Sequence, residues 1–119
     1  MFSFLAGFTD AEGSIGIYKK MAQYTLGNYD KKLLFTIHET LKTFSINTKK
    51  PSSDNRKGKL NSQGYAYKNN YWQLRLCKKT DLEHLLKKLR PYLKHPDKIK
   101  ALNTSLENIE LSNRRKYGE

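Results

Sequence analysis

The 119-residue sequence holds a single cysteine, Cys77. That excludes an internal disulfide framework and any metal site built from several thiolates, and it suits a reducing compartment. No apolar run approaches the roughly 18 residues that a membrane-spanning helix needs, so no spanning segment is expected. The opening MFSFLAGF is too short, and lacks the basic start, for a secretory leader. There are three histidines, His38, His84 and His95, and no two are spaced as metal ligands. Acidic side chains are scarce: 11 Asp and Glu stand against 23 Lys and Arg.

What is abundant is positive charge. The net charge is +12, and the stretch from Ser14 to Lys79 carries +11 of it. Such a balance calls for an anionic partner. Lysine outnumbers arginine 18 to 5, so most of this charge suits phosphate contacts rather than bidentate readout of bases. The length fits one domain, 1–119, with a thin core of its own.

Periodicity gives the elements. Phe4, Leu5, Phe8 and Ala11 recur at helical spacing, with Ser3 as a possible cap and Gly13 as the stop. Ser14–Lys19 alternates, with Ile15 and Ile17 on one face. Gln23–Asn28 forms a second strand with Tyr24 and Leu26 inward, and Lys20–Ala22 closes the hairpin. Asp30 caps a helix striped by Leu34, Ile37, Leu41 and Phe44. Residues 47–63 lose all periodicity and read as a basic loop or hairpin arm. Tyr65–Cys77 reads as strand, with Trp72, Leu74 and Leu76 on one face. Thr80 and Glu83 form a capping box ahead of Leu82, Leu85, Leu86 and Leu89, and Pro91 closes that helix. Pro96 opens a last helix with Ile99, Leu102, Leu106 and Ile109, and 112–119 reads as a frayed tail.

The order αββαββαα predicts an α+β layer: a four-stranded antiparallel sheet with helices on one face. The other face would carry Gly16, Tyr18, Lys20, Gln23, Thr25, Tyr71, Gln73 and Arg75. A polar, basic sheet face can lie in the major groove of double-stranded DNA. With these, Lys49, Lys50, Arg56, Lys57, Lys59 and Lys68 complete the expected DNA-binding set. Tyr65, Tyr67 and Tyr71 either pack the arm or touch DNA.

Residues 5–13 read Leu-Ala-Gly-Phe-Thr-Asp-Ala-Glu-Gly. This resembles the LAGLIDADG motif of the homing endonuclease family. Leu5, Ala6, Gly7, Asp10, Ala11 and Gly13 match outright, Phe8 and Glu12 are like-for-like exchanges, and Thr9 is the loosest position. The element order downstream resembles that family over nearly the whole chain. The resemblance implies a curved sheet with DNA on its open face. One motif copy implies a homodimer through the motif helix, at Phe4, Gly7, Phe8 and Ala11. Two Glu12 carboxylates would then meet, and like charges so close call for cations between them. Mg²⁺ or another divalent cation with oxygen ligands suits that task. The resemblance makes Glu12 the metal ligand, with the Ala11 carbonyl beside it, and leaves Asp10 structural. It places Asn28 and Lys32 near the metals, although Asn28 reads equally well as a turn residue. After Pro91-Tyr92-Leu93 it calls for a catalytic lysine. The direct count falls on Pro96, which leaves Lys94 and Lys98, with Lys98 preferred.

The implied activity is metal-dependent hydrolysis of one phosphodiester per strand in a long, near-palindromic target, serving intron or similar mobility. The alternative is a DNA-binding protein or RNA-splicing maturase that has lost cleavage on the same scaffold.

Overall fold

The computed structural model describes residues 1–53, 57–66 and 69–116, and side chains as far as 113. Helix α1, Phe2–Glu12, turns Leu5, Ala6 and Thr9 inward. It breaks directly into strand β1, Gly13–Tyr18, with no connecting residue. Gly13 has ordinary extended backbone, so room explains the glycine rather than conformational freedom. A Cβ there would lie 2.9 Å from both Thr9 Cα and Thr9 Cγ2.

Strand β2, Met21–Asn28, pairs antiparallel with β1 from Gly13↔Leu26 to Tyr18↔Met21. Ala22, Tyr24 and Leu26 alternate into the core. Asp30 caps helix α2, Lys31–Thr43, its Oδ1 accepting the Leu33 N–H at 3.0 Å. Strand β3, Ser52–Ser53, pairs with β4, Trp72–Leu76, and β4 pairs in turn with β2. The sheet order is therefore β1-β2-β4-β3, antiparallel throughout. Helix α3, Lys79–Leu89, runs into a 3₁₀ turn at Arg90–Tyr92, and helix α4 spans Pro96–Lys116. The expected α+β order αββαββαα is the observed one.

The core is one cluster between the sheet and the four helices. Its centre is Leu5, Tyr24, Leu26, Leu34, Leu41, Leu74, Leu85, Leu86, Leu89 and Leu102, all fully buried. No described helix is long and apolar enough to cross a membrane.

Local details depart from the sequence reading. Ser3 lies inside α1; Met1 holds the cap position, with no side-chain bond. Ile17 is 45% exposed while Ile15 is buried, because β1 is the sheet edge and Ile17 borders an open groove along α4. Ala6 packs into the core, so only Gly7 and Ala11 of the motif's small residues face outward. Phe44 ends α2 half exposed and stacks edge-on against Phe2, ring centroids 5.0 Å apart. The Thr80–Glu83 capping box does not form. Helix α3 begins two residues earlier than that box requires, at Lys79, with Lys78 in the cap position and no side-chain cap bond. That shift puts Thr80 inside the first turn, and Glu83 pairs with Lys87 instead, at 2.7 Å.

Among the described residues, the arm expected at 47–63 reaches further along the chain than those bounds. Leu60 bridges Ala66, and Gly64 turns at φ 87°. Asn61 Oδ1 accepts the N–H groups of Gln63 and Tyr65 across that tip. The arm takes residues from the expected Tyr65–Cys77 strand, which starts only at Trp72. The expected frayed tail is helical through Lys116; 117–119 lie outside the described residues.

Candidate functional site

The end of α1 is built from both directions. From inside, Thr9 Oγ1 bonds the Leu5 carbonyl at 2.7 Å and the Tyr24 hydroxyl at 2.7 Å. Tyr24 is fully buried, and desolvation pushes its hydroxyl well above the ordinary tyrosine range. It stays neutral and ties α1 to β2. The least motif-like residue is thus a buried polar anchor.

From outside, Asp10 accepts the backbone N–H groups of Lys94 at 2.9 Å and His95 at 3.2 Å. His95 Nδ1 then accepts the Asp97 N–H at 3.2 Å, beside Pro96 at the first position of α4. This fixes where α4 starts. Lys98, on its first turn, donates from Nζ to the Gly13 carbonyl. Glu12, Ala11, Gly13 and Lys98 therefore meet at one end of α1. Glu12 and Ala11 are exposed there. Lys94 reaches the same region through its backbone.

Asn28 ends β2 at this end of the sheet, since Gly13 pairs with Leu26 two residues before it. Its Oδ1 accepts the Asp30 N–H at 2.8 Å, which is a turn bond. Lys32 sits exposed on the first turn of α2.

The face opposite the helices carries the expected polar set. Register places Gly16 beside Gln23, Thr25 beside Arg75 and Gln73 beside Gly27, with Tyr18 further along β1. Arg75 Nη2 donates to Gln73 Oε1 at 2.8 Å. Tyr71 lies over Gly27, where a Cβ would meet its hydroxyl at 2.1 Å. Tyr29 stacks against it edge-on, centroids 5.0 Å apart. Tyr65 is exposed on the arm, and Tyr67 lies outside the described residues.

The arm lysines divide. Lys49 runs along β4, its N–H bonded to the Arg75 carbonyl at 3.2 Å. Lys50 instead turns its ammonium toward α2, 5.9 Å from the Phe35 ring centre. Lys31, which the sequence reading did not single out, stands 4.9 Å over Trp72 in the same group. Lys57 and Lys59 are exposed, and Lys20 sits in the β1–β2 turn. Arg56 and Lys68 lie outside the described residues. Lys19 was missed as well: the sequence reading ended the strand at Lys19 and turned at Lys20–Ala22, whereas the turn is Lys19–Lys20, with Tyr18 paired to Met21.

On the outer side of α1, Phe4 is 56% exposed, Phe8 is half-buried, and Gly7 and Ala11 are open. The two rings lie 6.3 Å apart. A Cβ on Gly7 would meet nothing within 4 Å. This is an apolar stripe of the spacing expected for a helix interface. Among the described residues, no three His, Cys, Asp or Glu side chains gather as a metal group. One exposed carboxylate suits a hard cation only as part of a larger oxygen set. His38 is structural, with Nδ1 2.6 Å from Thr48 Oγ1.

Residues 1–90 match the LAGLIDADG-like domain family, and the chain belongs to that family. No curated protein matches it. Among solved structures, the homing endonuclease I-CvuI, in complex with a DNA target, is similar at TM-score 0.65 and 22% identity, over 95% of this chain and 68% of that one. The group I intron-encoded homing endonuclease I-CeuI, complexed with DNA, gives TM-score 0.72 and 18% identity over 99% of this chain and 57% of that one. The homing endonuclease I-TnaI gives 0.67 and 14% over 98% and 76%. At these identities the likeness establishes the fold: this chain folds as homing endonucleases do.

Proposed function

We propose that this chain is one subunit of a homodimeric, site-specific DNA endonuclease that depends on a divalent cation. Residues 1–119 act as one domain. The observation that carries the reading is the end of α1. There an exposed carboxylate, Glu12, stands beside Lys98, between an apolar helix stripe and a polar, basic sheet face. The relatives I-CvuI and I-CeuI were solved on DNA, I-CvuI with Mg and with Ca, which supports the same partners here.

In the proposed dimer, Phe4, Gly7, Phe8 and Ala11 meet their copies, and the two Glu12 carboxylates approach. Glu12 and the Ala11 carbonyl would hold Mg²⁺ together with oxygens from the second copy and from DNA. The cation would polarise a scissile phosphate and acidify the attacking water. Lys98 places positive charge where the leaving oxygen gains negative charge. Lys32 and Asn28 line the same end and orient solvent. Gly16, Tyr18, Gln23, Thr25, Gln73 and Arg75 lie in the major groove, and Lys20, Lys49, Lys57 and Lys59 meet its phosphates. A symmetric dimer reads a near-palindromic target. Intron or similar mobility is the biological setting this chemistry serves.

The test is Glu12→Gln against a library of randomised plasmid sites with Mg²⁺. Wild type should cut a selected site, and the variant should bind it with unchanged or higher affinity. Its cleavage should fall about a thousandfold, several kcal/mol of lost charge stabilisation at about 1.4 kcal/mol per tenfold. Cutting within about tenfold of wild type would remove Glu12 from the metal site. A wild type that binds but never cuts would favour the non-cleaving alternative.

A further inference from the structure

The β1–β2 turn is made in an expensive way. Lys19 and Lys20 form a two-residue turn, with Tyr18 paired to Met21 across it. Both take positive φ, 50° and 69°. Type I′ turns need this at both positions and normally place Asn-Gly there. Two lysines in the left-handed region each cost on the order of 1 kcal/mol or more. The gain is that two ammonium groups stand at the tip of the sheet. The Lys19 Nζ lies 5.5 Å from the ring centre of Tyr18, a residue of the polar face.

Little packing holds this tip. β1 is the edge strand, and an open groove of about 310 Å³ runs beside it, between Gly16 and Ile17 and the α4 residues Asp97, Lys100, Ala101, Thr104 and Ser105. Ser105 Oγ is buried there without a hydrogen-bond partner among the described residues. The polar tie comes from one side chain on α4. Asn108 Oδ1 accepts the Ala22 N–H at 3.2 Å, and Asn108 Nδ2 donates to the Lys20 carbonyl at 3.2 Å. One amide thus holds the β2 side of the turn, at Lys20 and Ala22, from 88 and 86 residues away.

We infer that Asn108 is a positioning residue for DNA binding, which holds the strained Lys19–Lys20 turn so that both ammonium groups meet backbone phosphates. The inference rests on the proposed DNA-binding function of the sheet. It assigns α4 a part in recognition although α4 lies on the helix side of the sheet.

The experiment is a double-mutant cycle read by DNA affinity against salt, with the selected target as probe. The first variant combines Lys19→Asn and Lys20→Gly, which supplies the preferred turn and removes both charges. It should melt higher than wild type. Its slope of log K against log salt should be shallower by about 1.8 per subunit, at about 0.9 per phosphate contact. Asn108→Ala should weaken binding about tenfold in the wild-type turn and by less than about twofold in the Asn-Gly turn, where no lysine is left to place. A merely structural role would weaken both equally, and that result overturns the inference. So does an unchanged salt slope in the Asn-Gly variant, a measurement that stands even if Asn108→Ala does not fold. A wild type with no DNA affinity overturns the DNA-binding reading itself, and this inference with it.

Discussion

Lys98 and Gly13 meet across 85 residues of chain, the lysine ammonium donating to the carbonyl just past Glu12. The Asp10 carboxylate sets up this meeting by fixing the backbone at Lys94 and His95. Lys98→Met should therefore lower cleavage by about a hundredfold, the scale of losing one well-placed electrostatic stabiliser. DNA affinity should stay within about threefold. Lys94→Met should leave single-turnover cleavage within a fewfold of wild type. If the two variants exchange these effects, Lys94 is the catalytic lysine.

Gly7 separates folding from association. A side chain there meets open space within one subunit, and leucine is the better helix former by close to 1 kcal/mol. Gly7→Leu should melt no lower than wild type as a monomer. In the proposed dimer the same side chain collides with the facing helix. Sedimentation should show a dimer for wild type and a monomer for the variant. A variant that still dimerises places the interface elsewhere.

The Tyr24–Thr9 bond can be read by pH. Burial raises the Tyr24 pKa, so its stabilising share is complete below the unfolded value of about 10 and fades as pH rises above it. Tyr24→Phe should cost about 1 kcal/mol at pH 7, one buried hydrogen bond. It should also flatten the alkaline loss of stability. Equal alkaline slopes in the two proteins, followed by chemical denaturation, would assign that loss to other groups.

Gly27 and Tyr71 form a pair that a single methyl disrupts. Gly27→Ala must displace the Tyr71 ring, at a cost of about 1–3 kcal/mol for overpacking. Adding Tyr71→Ala should recover most of that loss in thermal melts. Failure to recover would mean that the strand backbone, not the ring, rejects the methyl.

The sequence made some of this plain and hid the rest for definite reasons. The α3 stripe of Leu82, Leu85, Leu86 and Leu89 was legible because burial follows the helical period. So were the alternation in β2 and the family, which a nine-residue motif marks. The caps at Ser3 and Thr80 misled, because helix ends are set by what precedes them in space. Ile17 has the pattern of a buried strand residue, yet it lies on the edge strand and borders an open groove along α4. Lys98 was the preferred of two candidates, but its bond to the Gly13 carbonyl could not be read from the sequence, because it depends on Asp10's distant hold on the α4 start. Asn108 and Thr9 left no signal, since a buried amide or hydroxyl declares its role only through its partners.

Gly13 has one more consequence. Helix and strand share it as a joint without slack, braced by Thr9 on one side and Lys98 on the other. In the proposed dimer the spacing between the two half-sites is then a property of covalent geometry, set at the subunit axis and carried rigidly into the reading surface. Sequence drift along Gly16–Tyr18 or Gln23–Thr25 would change which bases are preferred without changing how far apart they lie. Such a protein explores new targets of constant length, and subunits of different preference would combine on hybrid sites in the same frame.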